Sequence, residues 1–414
     1  MVTSNRSTSI NRDRLAQSIV QLGTIGALPN GGVRRISYNS KDVQARRLVQ
    51  DWMQTAGMKV RIDPAGNIIG RYPGRFPDAP ALATGSHIDT VPTGGRYDGA
   101  FGVLAGLEVV RTLQEQRLQL NHSLEVIVFT DEEGSMIGSK AMAGQVNPDA
   151  AYYQRPDGTS IQTCLDRVGG NWQQISQARR TRQEIAAFVE LHVEQGPVLE
   201  SMGKAIGVVE GIVAQRRFNI TVQGRANHAG TTPMSMRQDA LVAAAQIVLA
   251  INRLAQTPGQ QVATVGQMQV TPNAANVVPG RVEMSLDLRD LSTLHLDRLL
   301  QQLNLRLDAI AFETGCEIQI QPRLHNEPAP ATLHVQQTIV QACQALGLSY
   351  THLPSRASHD AQEMARFTDM GMIFVPSQGG LSHAEAEYTS PEHCTQGANT
   401  LLQTLLKLDQ HYPC

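Results

Sequence analysis

The first half of the chain alternates stretches of helical periodicity with short apolar runs. Helical patterns cover residues 40–57, with Ser40 as the predicted cap, and residues 100–113, whereas residues 81–84 and 124–130 are typical of buried strands. Such alternation favours an α/β fold, in which helices pack on the faces of a sheet. The same alternation resumes at residues 332–344, 372–375 and 396–408.

A different pattern begins near residue 217. Strand-like alternations at residues 218–223 and 282–289 flank a helical pattern at residues 237–254, which predicts a compact α+β insert. The simplest architecture is one α/β domain made from two chain segments and interrupted by a smaller domain. The predicted boundaries are 1–213 and 330–414 for the larger domain and 214–329 for the insert.

Composition narrows the classes of function. The 414 residues carry 35 basic and 37 acidic side chains, so the formal charge of −2 supplies no field for nucleic acid or an anionic membrane. The longest apolar run, residues 240–251, falls short of the roughly 20 residues that cross a bilayer. The first twenty residues lack the apolar stretch of a secretion signal, and the five cysteines are scattered. We therefore expect a cytoplasmic protein with a small-molecule partner.

Two acidic residues accompany the first candidate histidine. His87 and Asp89 follow the strand at 81–84, and Asp89 is placed to accept the second ring N–H of a metal-bound imidazole. A hydrogen bond within a loop is the ordinary alternative for such a pair. Asp98 precedes the helix at 100–113, where a helix cap is the ordinary alternative.

Further candidate ligands stand at other strand ends. Asp131, Glu132 and Glu133 follow a buried strand, and they repel one another unless cations hold them or water solvates the loop. His192 lies on the polar face of a short strand, and His383 follows a glycine turn. Together the three histidines and the carboxylates form a mixed nitrogen and oxygen set suited to zinc or manganese, with cobalt or nickel also compatible.

These motifs, in this order, resemble the M20 metallopeptidase clan over residues 15–406. Within it they resemble the amidase (hydantoinase/carbamoylase) branch, which contains N-carbamoyl-L-amino-acid hydrolases, allantoate amidohydrolases and ureidoglycolate hydrolases. Peptidase relatives generally carry Asp or Glu at the fourth metal position, whereas this chain has His192 followed by Gln195, Gly196 and Pro197. The resemblance therefore favours a small ureido-carboxylate substrate.

The resemblance also implies a ligand set for two divalent metal ions. One ion would be held by His87, Asp98 and His192, and the other by Asp98, Glu133 and His383. Glu132 matches the family's general base, which takes a proton from water. The other residues expected to act in catalysis or substrate binding are Asp89, Gln195, His228, Asn276, Arg289 and His359.

Three of these residues lie in the insert. His228 and Asn276 are donors suited to a tetrahedral oxyanion, and Arg289 could hold a substrate carboxylate through two parallel hydrogen bonds. A surface ion pair with Asp287 or Asp290 is the alternative for Arg289. In similar enzymes the His228 equivalent reaches the active site of the partner subunit. The resemblance thus implies a homodimer, a catalytic domain with a mixed sheet between helices, and an insert that serves as lid and dimerisation domain.

The chain departs from the branch in two places. Relatives commonly have a glycine-rich approach to the His359-Asp360 pair, where this chain has Arg356, and an Arg-Phe pair at the positions of Met136 and Ile137. The prediction is a metal-dependent amidohydrolase that cleaves a C–N bond of an N-carbamoyl or ureido acid. The alternatives are a dipeptidase or aminoacylase of the same clan and a catalytically silent ligand-binding protein.

Overall fold

The computed structural model of the chain describes residues 8–414. Within them the α-helices, α1 to α11 in chain order, are Arg12–Gly23, Ser40–Thr55, Ala100–Glu115, Ile137–Met142, Ile161–Arg167, Val198–Ser201, Ala240–Ala255, Thr293–Thr314, Leu333–Ala345, Asp360–Met364 and Pro391–Leu408. The strands in the same residues, β1 to β16, are Lys59–Ile62, Ile68–Tyr72, Ala81–His87, Leu124–Phe129, Ile185–Val193, Ile206–Ile212, Ala214–Gln223, Asn227–His228, Val262–Thr264, Met268–Thr271, Val277–Val278, Arg281–Asp290, Glu317–Asn326, Ala329–Pro330, Tyr350–Ser355 and Asp369–Val375.

The chain divides into two compact units. The first contains the described residues up to Gly211 together with Pro330–Cys414, and the second is Ile212–Ala329. None of the described helices is both long enough and apolar enough to cross a bilayer.

A mixed sheet forms the centre of the first unit. Its strands follow the order β1-β2-β4-β3-β5-β16-β6, with β15 also paired to β6. Strands β4, β3, β5 and β16 run parallel, whereas the pairs β1–β2, β2–β4 and β16–β6 are antiparallel. Every residue of β3, β4, β5 and β16 is buried, as expected for parallel strands covered by helices. The predicted α/β class with a mixed sheet flanked by helices is confirmed.

The N-terminal cap of helix α2 lies one residue earlier in the chain than the sequence predicts. Asn39 has an extended backbone, and its side-chain oxygen accepts the N–H groups of Lys41 and Asp42, each at 2.8 Å. Ser40 is already the first helical residue. The prediction of Ser40 as the cap is therefore wrong, because an Asn directly before it satisfies the same free N–H groups.

The second unit is built on an antiparallel sheet. Its strands follow the order β10-β12-β7-β13, with β9 also paired to β12, and helices α7 and α8 pack against it around a core that includes Ile247, Val282 and Leu307. Helix α7 begins at Ala240 and not at residue 237, because Asp239 caps it by accepting the N–H groups of Leu241 and Val242. The short strands β8 and β11 pair separately, which sets His228 opposite Val277.

Candidate metal centre

The candidate ligands gather at the carboxyl ends of parallel strands. His87 is the last residue of β3, Glu132 and Glu133 follow β4, and His192 is the penultimate residue of β5. His383 lies in the loop that follows β16. Because these strands are parallel neighbours, their carboxyl ends meet at one edge of the sheet, where ligands of open α/β sheets are bound.

Asp98 stands at the middle of the cluster. Its Oδ1 atom lies 3.2 Å from His192 Nε2 and 3.6 Å from His87 Nε2, while its Oδ2 atom lies 3.3 Å from His383 Nε2. Helix α3 is capped by Gly99 without a side-chain hydrogen bond. The alternative of Asp98 as a helix cap is therefore wrong, and the two oxygens of one carboxylate face two different sets of imidazoles.

Two glutamates complete the cluster from the loop after β4. Glu133 Oε2 lies 3.5 Å from His383 Nε2, and Glu132 Oε2 lies 3.5 Å from His87 Nε2. Two groups of possible metal ligands share Asp98, and within each group the ligand atoms lie within 4.8 Å of one another. The groups are His87, Asp98 and His192, and Asp98, Glu133 and His383.

Main-chain carbonyls fix the two buried imidazoles. The Nδ1–H group of His87 donates to the carbonyl oxygen of Asp89 at 3.0 Å, and that of His192 donates to Val193 at 2.9 Å. A carbonyl can only accept, so Nδ1 carries the proton in both rings and Nε2 faces Asp98. The carboxylate of Asp89 is 3.7 Å from His87 Nδ1. The predicted hydrogen bond to that carboxylate is thus replaced by one to the carbonyl of the same residue.

The Asp98–Gly99 turn requires a glycine. Gly99 has φ +63 and ψ −52, and a Cβ atom added to it would lie 2.3 Å from His87 Nε2. Its N–H group donates to His192 Nε2 at 3.1 Å. Gly99 therefore touches both buried imidazoles, and only a residue without a side chain fits between them.

Polar side chains hold Asp98 from the other side. Gln195 Nε2 donates to Asp98 Oδ2 at 2.9 Å, and the hydroxyl of Ser382 donates to the same oxygen at 3.1 Å. Gln195 has φ +59, a conformation that is uncommon outside glycine. The structure thus places Gln195 against the shared carboxylate.

His359 packs against the candidate ligand His192. It is only 2% exposed, its ring centroid is 4.5 Å from that of His192, and its Nε2 atom is 2.9 Å from the hydroxyl of Ser355. Burial lowers the pKa of His359 well below its ordinary value, so the imidazole is neutral. Contact of His359 with a substrate stays a prediction, because its observed neighbours are protein groups.

Burial and neighbouring charges shift the pKa values of the clustered carboxylates in opposite directions. Burial would raise the pKa of Asp98, but His192, His383 and His87 hold it well below its ordinary value. Burial raises the pKa of Glu132 well above the usual range and also raises that of Glu133, and neighbouring carboxylates add to both effects. Packed carboxylates of this kind favour bound cations, which offset their repulsion.

Comparison with known proteins identifies the family. The model of peptidase family M20/M25/M40 matches residues 83–407. The chain belongs to this family. It is 42% identical over 406 residues to the N-carbamoyl-L-amino acid amidohydrolase of Geobacillus stearothermophilus, which covers 97% of this chain and 99% of the relative. It is 36% identical over 405 residues to the allantoate amidohydrolase of Bacillus subtilis (strain 168), covering 96% of this chain and 98% of the relative.

A solved structure extends the comparison to three dimensions. A hydantoinase/carbamoylase family amidase from Burkholderia multivorans matches with a TM-score of 0.92 and 36% identity, and the match covers 99% of this chain and 100% of that one. These comparisons confirm the resemblance to the M20/M25/M40 family that the motifs indicated. They also confirm that the chain is similar to amidases of the hydantoinase/carbamoylase branch.

The second unit of this M20/M25/M40 member carries the remaining candidates. His228 is exposed, and its Nδ1 atom accepts the N–H groups of Gly230 and Thr231. The carbonyl of Asn276 accepts the N–H of Ala229 at 2.9 Å. Arg289 Nε donates to Asp287 Oδ1 at 2.9 Å, so the ion pair considered as an alternative is present. Roles for these residues in the reaction stay predictions.

Four contacts around the centre were not predicted from the sequence. Ser382 supports Asp98, and Glu190 on β5 accepts the hydroxyl of Ser86 at 2.7 Å and the N–H of Ala361 at 2.9 Å. Arg155 forms an ion pair with Asp131 at 3.0 Å. The ion pair joins two residues that are 24 positions apart in the chain, so no local pattern predicts it. The sequence signal near Arg155 is the Pro-Asp-Gly turn that follows it.

Proposed function

We propose that this M20/M25/M40 family member uses two divalent metal ions to hydrolyse a C–N bond of an N-carbamoyl or ureido acid and to release ammonia. The observation that carries the proposal is Asp98, whose two oxygens face two separate ligand sets. The amidohydrolases to which the chain is similar over nearly its whole length support the same class of reaction.

The residues present suit zinc or manganese. Three imidazoles and two carboxylates form a mixed nitrogen and oxygen set, and the buried imidazoles already turn Nε2 towards Asp98. We assign one ion to His87, Asp98 and His192 and the other to Asp98, Glu133 and His383. A bound divalent cation would polarise the substrate carbonyl and lower the pKa of water to near neutrality.

We assign the proton transfer to Glu132. It lies beside His87 without belonging to either ligand group, and burial raises its pKa well above the usual range of a glutamate, which favours its holding a proton. Water that attacks the ureido carbon loses a proton to Glu132, which then delivers it to the departing nitrogen. For an N-carbamoyl amino acid this cleavage releases the amino acid and carbamic acid, which breaks down to carbon dioxide and ammonia. Asp89 supports this site through its carbonyl bond to His87.

The insert is proposed to supply substrate contacts. Arg289 would bind the substrate carboxylate, and Asp287 keeps its guanidinium oriented in the absence of substrate. His228 and Asn276 would stabilise the oxyanion, with His228 acting in the active site of the partner subunit of a homodimer. Gln195 would contact substrate from the position where it now supports Asp98. In this proposal residues 214–329 act as lid and dimerisation domain.

The test measures ammonia released from ureido acids and free amino acids released from N-acyl amino acids and dipeptides in a substrate panel. Metal-depleted protein, reconstituted separately with zinc and with manganese, is supplied with N-carbamoyl-L-amino acids, allantoate, ureidoglycolate, N-acyl amino acids and dipeptides. Release of ammonia from at least one ureido acid is expected. Turnover of dipeptides or N-acyl amino acids alone would overturn the proposal in favour of the peptidase or aminoacylase reaction. Metal binding without any turnover would support a ligand-binding protein.

A further inference from the structure

Asp131 occupies an unusual place in the loop that carries Glu132 and Glu133. It has φ +59, and its side chain is 2% exposed. While Glu132 and Glu133 approach His87 and His383, the carboxylate of Asp131 contacts Arg155 and Ser135 instead. The loop therefore presents its three acidic side chains to different surroundings, and that arrangement depends on a backbone conformation that non-glycine residues rarely adopt.

Arg155 comes from a separate loop and reaches this carboxylate. Its Nη1 atom lies 3.0 Å from Asp131 Oδ1, and its guanidinium stacks on the ring of Tyr38 with its central carbon 5.6 Å from the ring centroid. The Arg155 backbone is held by a tight turn, in which its N–H donates to Thr159 and its carbonyl accepts the N–H of Gly158. The cation is thus fixed both by its turn and by the aromatic face.

The same carboxylate organises the backbone that follows. Asp131 Oδ2 accepts the N–H of Ser135 at 3.1 Å and its hydroxyl at 2.6 Å, while the carbonyl of Asp131 accepts the N–H of Met136 at 2.7 Å. The N–H of Glu133 donates to Asp89 Oδ2 at 3.2 Å, and that oxygen also accepts the hydroxyl of Ser37. Glu132 and Glu133 therefore lie on a segment anchored on both sides.

We infer that Arg155, stacked on Tyr38 and paired with Asp131, is a positioning residue that holds the loop of Glu132 and Glu133 in its reactive conformation. The catalytic part of this inference rests on the proposed function, whereas the structural part stands on the contacts alone. Arg155 touches neither the ligand groups nor Glu132 in the described contacts, so it acts through Asp131. Without the guanidinium of Arg155, Asp131 becomes a buried carboxylate that lacks its ionic partner, which favours rearrangement of the loop.

The first test measures the loop without relying on activity. Hydrogen exchange is followed by mass spectrometry in metal-free protein, in peptides covering residues 130–139, for the wild type, Arg155→Gln and Arg180→Gln. Arg180 is the matched control because it forms a buried ion pair at 3.2 Å with Glu125 on β4, the strand that precedes this loop. Faster exchange of this segment is expected in Arg155→Gln only. Exchange equal to the wild type, or equal acceleration in Arg180→Gln, would overturn the inference.

The second test measures turnover of the substrate found with the panel. Arg155→Gln is expected to lower kcat on the order of 10²-fold at saturating metal with KM unchanged, because a misplacement of about 1 Å can cost that much. Arg155→Lys should restore part of kcat, and Asp131→Asn combined with Arg155→Gln should lose no more than either change alone. Additive losses, or full kcat in Arg155→Gln, would contradict the inference.

The two proposals fail in different ways. If Arg155→Gln does not fold, Asp131→Asn breaks the same pair and is measured in its place. Faster loop exchange combined with a wild type that turns over none of the panel would leave the positioning role standing and overturn the proposed function. Normal wild-type turnover combined with unchanged loop exchange and unchanged kcat in the variants would overturn the positioning role and leave the proposed function standing.

Discussion

Replacing Gly99 by alanine should damage the metal centre from within. The added Cβ would lie 2.3 Å from His87 Nε2 and 2.4 Å from its Cδ2 atom, and the turn has φ +63. With ψ −52 the turn lies outside the left-handed α region, so it costs a residue with a side chain at least the roughly 1–2 kcal/mol of that region. Forcing an extra methyl into a packed site costs about 1–3 kcal/mol more. His87 cannot retreat freely because its Nδ1–H group is bonded to the Asp89 carbonyl.

A second glycine separates these two costs. Gly203 has φ +59, but a Cβ atom added there would meet nothing within 4 Å. Gly203→Ala should therefore bear only the backbone cost of roughly 1–2 kcal/mol. The difference between the two variants, at least about 1–3 kcal/mol, contains the collision with His87.

The assay is metal affinity, measured by competition with a chelator of known affinity. Gly99→Ala should bind metal about 10-fold to 100-fold more weakly than the wild type, the range found when residues that orient metal ligands are changed. Gly203→Ala should bind metal as the wild type does. Equal metal affinity in the two alanine variants would refute the argument that Gly99 is required by the approach of His87.

Two further predictions concern the substrate carboxylate and protein stability. Arg289→Lys should raise KM for the ureido acid about 10-fold to 100-fold with a smaller change in kcat, because lysine cannot reproduce two parallel hydrogen bonds. Steady-state kinetics measures both constants, and an unchanged KM would exclude Arg289 as the residue that binds the substrate carboxylate. Burial raises the pKa of Asp42 to about 6 from 3.8, so its neutral form favours the folded state below pH 3.8 and this contribution is lost as pH rises through 6. In chemical denaturation of metal-free protein, the wild type should lose about 3 kcal/mol more stability than Asp42→Asn between pH 3.8 and 6, and identical pH profiles would contradict the shift.

The positions of the candidate ligands could be predicted because they depend on strong local patterns. Apolar runs mark β3 and β4, and polar residues that follow such runs within a few positions, such as His87 and Glu133, are expected near the strand ends. The parallel arrangement then brings those ends together at one edge of the sheet. Chemistry that follows from strand ends is therefore accessible from sequence.

Finer contacts could not be predicted, because several atoms compete for each partner. Asp89 offers His87 both a carboxylate and a carbonyl, and only the folded loop selects the carbonyl. Asn39 and Ser40 are both good helix caps, and the backbone conformation selects Asn39. The ion pair of Arg155 with Asp131 depends on two loops meeting in the folded chain, which no local pattern encodes.

The most direct test of the account is the activity of Glu132→Gln at full metal content. Glutamine keeps the size of the side chain but cannot accept the proton of the attacking water, and general bases typically contribute about 10²-fold to 10⁴-fold to the rate. Ammonia release from the ureido substrate should fall by that factor, while the metal content measured on the same sample stays at the wild-type value. Near-normal ammonia release by the metal-loaded variant would contradict the assignment of Glu132 as the general base.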